Sequence, residues 1–299
     1  VLASHSDPAT TISELTTSSI VAAALASALR DGRAGSPAEA LRVDPARAAV
    51  LETLPGGAEG VLDALWRERQ PRGNNLVSLL NQAAAAGAGA TETWSDLSDD
   101  VLVAQGRSSV LMARVLLSRI GPAYGFLEPG SRARVLDVGT GIGAIASALA
   151  ESLPRVEVTG IDIADRPLEI ARERLTAAPG EVSARIHYRR QDVTELDELK
   201  RYDVVWMPLP FLPDGIVDQA VTRVTAALRP AGLLVLGTQP DVEDRRAAAA
   251  GAWLASLTGG GTLTASEVVR RLSRRGFEDV RRFETVPGGP ILVGALAPS

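Results

Sequence analysis

The sequence predicts an α/β protein in which a mostly parallel sheet ends in an antiparallel hairpin and follows a separate helical segment. Three observations carry this. From Arg134 onward, short runs of β-type residues alternate with amphipathic helical patterns, as parallel strands joined by right-handed crossovers require. The last two runs, Val280 to Val286 and Ile291 to Leu296, are separated only by Pro287-Gly288-Gly289-Pro290. So short a connection forces antiparallel pairing. Residues 12 to about 90, in contrast, read as helix throughout.

In that first segment the expected helices are Ile12 to Leu29, Pro37 to Leu41, Pro45 to Leu54, Ala58 to Arg69 and Asn75 to Ala86, with Gly32, Gly35, Gly56-Gly57 and Gly73 as breaks. Ser36 and Asp44 each precede a proline, the pattern of an N-cap with proline in the first turn. The Ala/Gly-rich stretch Ala83 to Ala90 suggests a hinge, and a domain boundary near residue 92 divides the chain into 1–92 and 93–299. After Trp94-Ser95-Asp96-Leu97-Ser98, a long helix is expected from Asp99 to Ile120, carrying Gln105, Gly106 and Arg107.

The first strand, Arg134 to Val138, runs into the turn Gly139-Thr140-Gly141-Ile142-Gly143. The following helix places Ile142, Ile145 and Leu149 on one face, with Ala144 and Ala148 permitting close approach to the sheet. Val156 to Ile163 is the second strand, followed from Asp165-Arg166-Pro167 by a helix bearing Leu168, Ala171 and Leu175. A third strand covers about Ala184 to Tyr188, a fourth Val204 to Met207, and a fifth Leu233 to Leu236. Between the last two, Val217, Ala220, Val221, Val224 and Leu228 mark a helix. A final helix, Ala265 to Arg275, is stopped by Gly276 before the hairpin.

The glycine turn is the candidate binding element. Three missing Cβ atoms let the backbone bend and bring its N–H groups, with the next helix N-terminus, against a polar ligand. Gly139-x-Gly141-x-x-Ala144 also fits the loose dinucleotide fingerprint, so the glycines alone do not choose the ligand. Asp137, two residues upstream, does: a carboxylate there attracts a cation and repels a pyrophosphate. Asp162 ends the second strand, where it can accept hydrogen bonds from vicinal ribose hydroxyls, and Gln191-Asp192-Val193 follows the third, where a carboxylate and a backbone N–H can read an adenine edge. The acids lie 25 and 30 residues apart, about one strand and helix each, so a parallel sheet brings them to one rim.

With these motifs the chain resembles the class I S-adenosylmethionine-dependent methyltransferases over about residues 93–299. The resemblance rests on Leu136 to Gly143, the acid of Gly160-Ile161-Asp162, the Gln191-Asp192-Val193 corner, and Leu228-Arg229-Pro230-Ala231-Gly232, where Ala231 replaces one glycine of the family pattern. It implies a seven-stranded, mostly parallel Rossmann-like sheet with a terminal antiparallel hairpin, preceded here by a helical N-terminal domain. It implies S-adenosyl-L-methionine as cofactor, with Asp137, Gly139, Thr140, Gly141 and Gly143 around the methionine part, Asp162 and Ile163 at the ribose, and Gln191, Asp192 and Val193 at the adenine. Helices before the first core strand often cover the cofactor in this family, so Gln105, Arg107 or Ser108 would meet the methionine carboxylate; an ordinary solvated Arg107, with Gly106 easing helix packing, is the plainer alternative. Met207, Pro208, Leu209 and Phe211 occupy the loop after the fourth strand, where the family contacts donor and acceptor. That loop, Trp206 to Pro213, lacks the Asn/Asp-Pro-Pro-Tyr/Phe tetrad of amide- and base-N-methylating members. The N-terminal helices resemble a dimerisation region of small-molecule O-methyltransferases or form a cap on the active site.

Composition narrows the chemistry. Zero cysteines exclude disulfides and thiolate chemistry, and two histidines, His5 and His187, are too few for a histidine-built metal centre. A formal charge of −5 gives no general attraction to nucleic acid or anionic lipid, so the expected partner is a small molecule; a homodimer stays open. The early apolar run Ile20 to Leu25 is far shorter than a membrane span and follows no secretory pattern, and a cytoplasmic protein is expected. No histidine follows the fifth strand; Asp241 and Glu243 could act as a base there, but acids leading a helix serve more often as caps. His187 is expected to be structural. The reading is therefore methyl transfer to a small, fairly apolar metabolite, of secondary metabolism on this view. An NAD(P)-dependent oxidoreductase and a cofactor-retaining, non-methylating protein are the alternatives.

Overall fold

The computed structural model describes residues 7–88, 94, 97–239, 244–257, 259–285 and 289–298. His5, Asp241, Glu243, Val286 and the expected boundary near residue 92 lie outside them. The chain forms two compact units, Val1–Ala88 and Gly89–Ser299.

The first unit is helical: α1 (Pro8–Arg30), α2 (Pro37–Val43), α3 (Pro45–Leu51), α4 (Gly57–Leu65) and α5 (Arg69–Gly87). Ser36 and Asp44 cap α2 and α3, each accepting a backbone N–H from three residues on. Its core gathers Leu29, Leu51 and Leu62. Arg47 is buried with Asp31 at 3.2 Å and also donates to Ser27 Oγ and the Ala40 carbonyl, so the buried charges are paired and hydrogen-bonded. Gly73, expected to break the chain, lies inside α5 instead. A Cβ there would come within 2.6 Å of Arg30 Cγ and 3.2 Å of Leu29 Cβ, so this glycine lets α5 press against the end of α1.

The second unit begins with α6 (Asp99–Val115), which continues through a π-helical turn (Leu116–Ile120) into the short α7 (Gly121–Tyr124). There follow β1 (Arg134–Val138), α8 (Ala144–Ser152), β2 (Glu157–Asp162), α9 (Asp165–Thr176), α10 (Gly180–Ser183), β3 (Ile186–Arg190), β4 (Tyr202–Pro208), α11 (Val217–Ala227), β5 (Leu228–Thr238), α12 (Arg245–Leu257), α13 (Ala265–Arg274), β6 (Glu278–Glu284) and β7 (Ile291–Leu296). Seven strands form one sheet in the order β3-β2-β1-β4-β5-β7-β6. β1 to β5 pair in parallel, and β7 is antiparallel to both β5 and β6. This is the expected seven-stranded arrangement.

Alternate residues of each central strand serve opposite faces. Leu136, Val205, Met207, Leu234 and Leu236 join Val221 and Val224 of α11 and Val268 and Leu272 of α13 on one side. Val135, Val204, Trp206, Leu233 and Val235 meet Ile145 and Leu149 of α8 on the other. β5 is longer than the hydrophobic run suggested. Its register with β4 jumps between Tyr202↔Leu228 and Val204↔Leu233, and the extra residues include Ala231 at φ 56°. The position where the family pattern has glycine therefore adopts a left-handed conformation that alanine disfavours.

Among the described residues, two helical stretches, Pro8–Arg30 and Asp99–Tyr124, are long and apolar enough by length and composition to cross a membrane, a property the short run Ile20 to Leu25 did not reveal. The C-terminal part of the second, with Ala113, Leu116 and Ile120, packs into the sheet's core.

Candidate functional site

Register brings Asp137 beside Gly160 on β2 and Trp206 on β4, so the carboxyl ends of β1, β2 and β4 share one rim. The β1–α8 turn leaves that rim with Gly139, Gly141 and Gly143 all at positive φ (66°, 55° and 74°), which only glycine adopts without strain. They serve two purposes. A Cβ on Gly139 or Gly141 would meet nothing within 4 Å, whereas one on Gly143 would fall 2.0 Å from the Tyr188 hydroxyl. The first two glycines border open space that a ligand can fill. The third accommodates a tyrosine of β3, whose ring also crowds Gly160.

Asp162 holds the turn in place. Its Oδ2 accepts the Gly141 N–H at 2.8 Å and its Oδ1 the Ala164 N–H at 2.9 Å, while its carbonyl accepts the Gln191 N–H at 2.9 Å. Burial raises its pKa, and the backbone donors, Ala164 first, oppose that shift. A carboxylate expected only to meet hydroxyl groups thus also fastens the glycine loop to the end of β2. Each oxygen keeps a second lone pair for such a donor.

Asp137 is almost wholly buried. Its Oδ2 accepts the Thr140 hydroxyl at 2.7 Å, and its Oδ1 has no partner among the described residues. Burial pushes its pKa up to about 7; the Thr140 hydrogen bond and, more weakly, the Ala146 N–H oppose this, and the nearby Asp162 charge adds to it. An under-satisfied buried carboxylate is stabilised by nearby positive charge. Thr140 itself is buried, and its N–H donates to the Ile161 carbonyl at 3.0 Å.

The other expected residues divide by environment. Ile163 is 64% exposed, directly after Asp162. Asp192 Oδ1 accepts the N–H and hydroxyl of Thr194, both at 2.8 Å, which caps the turn Val193–Glu195. Val193 is buried in the core, which leaves only its backbone for a ligand. In α6, Gly106 faces Ile142 of the glycine turn so closely that a Cβ would lie 2.3 Å from it, with Gln105 half-buried and Arg107 exposed on either side. Of the residues expected to contact donor and acceptor after β4, Met207 and Leu209 are core residues and Pro208 is buried, as is the neighbouring Leu212, because the 3₁₀ turn Leu209–Phe211 folds the loop back on the sheet. Phe211 alone of these faces outward, and it packs edge-on against Trp94 with ring centroids 5.2 Å apart. His187 is exposed on β3.

Sequence reasoning missed Tyr188 and Trp94. An aromatic at a strand's edge and another before a helix carry no motif, although the pairing of Gly143 and Gly160 with a bulky β3 residue could have been sought once β3 was placed beside β2.

A family model described as a methyltransferase domain matches residues 135–232. The chain is 32% identical to a release factor glutamine methyltransferase of Rhodopirellula baltica over 124 residues, 41% of each protein. It is 30% identical to a tRNA1(Val) (adenine(37)-N6)-methyltransferase of Vibrio vulnificus over 92 residues, 31% of this chain and 38% of that one. The chain therefore spans about two-fifths of the length of these curated relatives. Among solved structures, an O-methyltransferase family protein from Burkholderia thailandensis shares the fold, with a TM-score of 0.60 at 16% identity over 100% of this chain and 99% of that one.

Proposed function

We propose that this chain, which matches a methyltransferase-domain model over residues 135–232, is a class I S-adenosylmethionine-dependent methyltransferase that transfers a methyl group from S-adenosyl-L-methionine to a small, fairly apolar metabolite in the cytoplasm. One observation carries the reading: open space at Gly139 and Gly141 is bordered by a buried, under-satisfied Asp137 and by Asp162 hydrogen-bonded to the same turn. That combination suits an adenosyl group bearing a positive charge.

In this assignment the backbone of Gly139, Thr140, Gly141 and Gly143 lies along the methionine part, and Asp137 attracts its cationic end through space. Asp162 accepts ribose hydroxyls with the exposed Ile163 beside it, and Gln191, Asp192 and the Val193 backbone meet the adenine edge. Gln105 and Arg107 take the carboxylate end, and Met207 contributes its backbone. Pro208, Leu209 and Phe211 form the acceptor side, where Phe211 offers a side chain and the other two their main chain.

The bound cofactor supplies an electrophilic methyl on sulfur. The protein's contribution is alignment of the acceptor in a dry pocket, which can lower the barrier by about 7–11 kcal/mol. The loop Trp206 to Pro213 carries no titratable side chain, so no base is assigned there. Matched on Pro210-Phe211, the polar first position of the amide- and base-methylating tetrad falls on Pro208, whose ring offers no acceptor to a target nitrogen. This argues against the macromolecular acceptors for which the two relatives are named. A nicotinamide dinucleotide is disfavoured by Asp137, which would lie near its pyrophosphate.

Calorimetric titration with S-adenosylhomocysteine and, separately, NADP⁺ tests the cofactor. Transfer of labelled methyl to a panel of small phenols, acids and amines, against tRNA and glutamine peptides, tests the acceptor. Binding of NADP⁺ alone, or label on tRNA or peptide alone, would overturn the corresponding half. Residues 1–92 are assigned as a helical cap or dimerisation domain and 93–299 as the cofactor domain; light scattering of the full chain decides between the two N-terminal roles, a dimer favouring the second.

A further inference from the structure

Phe211 sits in a loop that is otherwise fastened. Leu209 and Leu212 are core residues on either side of it. Gly260 lies so close that a Cβ would run into the Pro210 carbonyl, and the Asp214 carboxylate accepts both the N–H and the hydroxyl of Thr262 at 3.1 Å. Despite this anchorage the Phe211 ring stays 36% exposed. Trp94 stands across it at an interplanar angle of 78°. Trp94 in turn packs on the cluster of Leu97, Val101, Ile142 and Ile170, in which Ile142 belongs to the glycine turn. The pair thus bridges the turn after β1 and the loop after β4, two strands that are neighbours in the sheet.

We propose that Trp94 and Phe211 form the recognition surface for the methyl acceptor, and that the acceptor carries a flat aromatic ring. This rests on the methyl-transfer reading. Trp206 to Pro213 carries no charged side chain and the neighbouring Asp214 carboxylate is engaged by Thr262, so an ionic acceptor finds little to pair with there, whereas two rings already fixed edge to face add a third at low entropic cost. A stretch of chain before α6, which no motif marks, thereby sets substrate preference.

The test uses the full chain saturated with S-adenosylhomocysteine and two probes of similar shape, 2-naphthol and decahydro-2-naphthol, titrated calorimetrically. The planar probe is expected to bind the wild type about fivefold tighter, and Trp94→Ala and Phe211→Ala each to weaken it about tenfold. Trp94→Phe, which keeps a ring and drops an N–H that has no acceptor among the described residues, should restore most of the affinity. Affinity for S-adenosylhomocysteine should be retained in Phe211→Ala and Trp94→Phe, while Trp94→Ala, which removes packing from Ile142 of the glycine turn, is titrated at its own saturating S-adenosylhomocysteine. Should Trp94→Ala fail to fold, the partly exposed Phe211 still decides the matter. Equal binding of the two probes, no binding of either, or undiminished naphthol binding by the alanine variants would overturn the proposal. Failure of the wild type to bind S-adenosylhomocysteine would instead strike the methyl-transfer reading, and the acceptor role with it.

Discussion

Replacing Asp137 by asparagine should make the ligand-free protein more stable and the cofactor complex weaker. The native carboxyl titrates near pH 7 because it is buried, while in the unfolded chain it titrates at about 3.9. A group with a raised native pKa binds more protons folded than unfolded between those values, so its contribution to stability is full below about pH 4 and falls as pH rises through 7. Three units correspond to about 4 kcal/mol lost by pH 8. Asparagine keeps an acceptor for the Thr140 hydroxyl and never ionises, but its amide inherits the unpartnered Oδ1 position, a cost of about 1–3 kcal/mol. Urea melts of ligand-free protein should therefore show the variant about 1–3 kcal/mol more stable at pH 8, with the advantage gone at pH 4.5. Cofactor binding moves the other way. One unit charge about 6 Å from another at an effective dielectric of about 20 is worth about 3 kcal/mol, so S-adenosylmethionine should bind the variant about 100-fold more weakly at pH 8. In the wild type its affinity should rise between pH 6 and 8; in the variant this rise should vanish. A variant less stable than wild type at pH 8, with the same pH dependence of binding, would refute the assignment of Asp137 as an ionised, ligand-directed carboxylate.

Other substitutions separate architecture from binding. Gly143→Ala drives a methyl group into the Tyr188 hydroxyl and should cost about 2–4 kcal/mol in urea melts. Gly141→Ala, with open space around it, should cost only the left-handed strain of about 1–2 kcal/mol; equal losses for the two would contradict the division of the glycines. Asp162→Ala removes acceptors from the Gly141 and Ala164 N–H groups and should weaken S-adenosylhomocysteine binding by about 2–3 kcal/mol in calorimetry; unchanged affinity would remove Asp162 from the site. Ala231→Gly relieves a φ of 56° and should stabilise the protein by about 1 kcal/mol, read as a rise in Tm.

The sheet was legible because its inner strands β1, β2, β4, β5 and β7 are mostly buried and read as near-continuous apolar runs, and because Pro287 to Pro290 leaves no room for a crossover. The acids were legible because each lies at or just beyond the carboxyl end of a strand. What the sequence hid was the side-chain bonding of those acids and the direction taken by the loop after β4. Nothing in the residue order of Met207 to Leu212 says that a 3₁₀ turn will send Leu209 inward and leave Phe211 out. Gly73 misled for a related reason: a glycine that breaks a helix and one that lets two helices touch look alike until the partner, here Leu29 and Arg30, is known.

An open sheet has two unpaired margins, here β3 and β6, and both carry consecutive arginines, Arg189-Arg190 and Arg281-Arg282. Stacking a second sheet strand to strand against either would bring like charges together and bury cations, which discourages edge-wise growth into fibres. Variants that neutralise these arginine pairs should be the first to precipitate when concentrated.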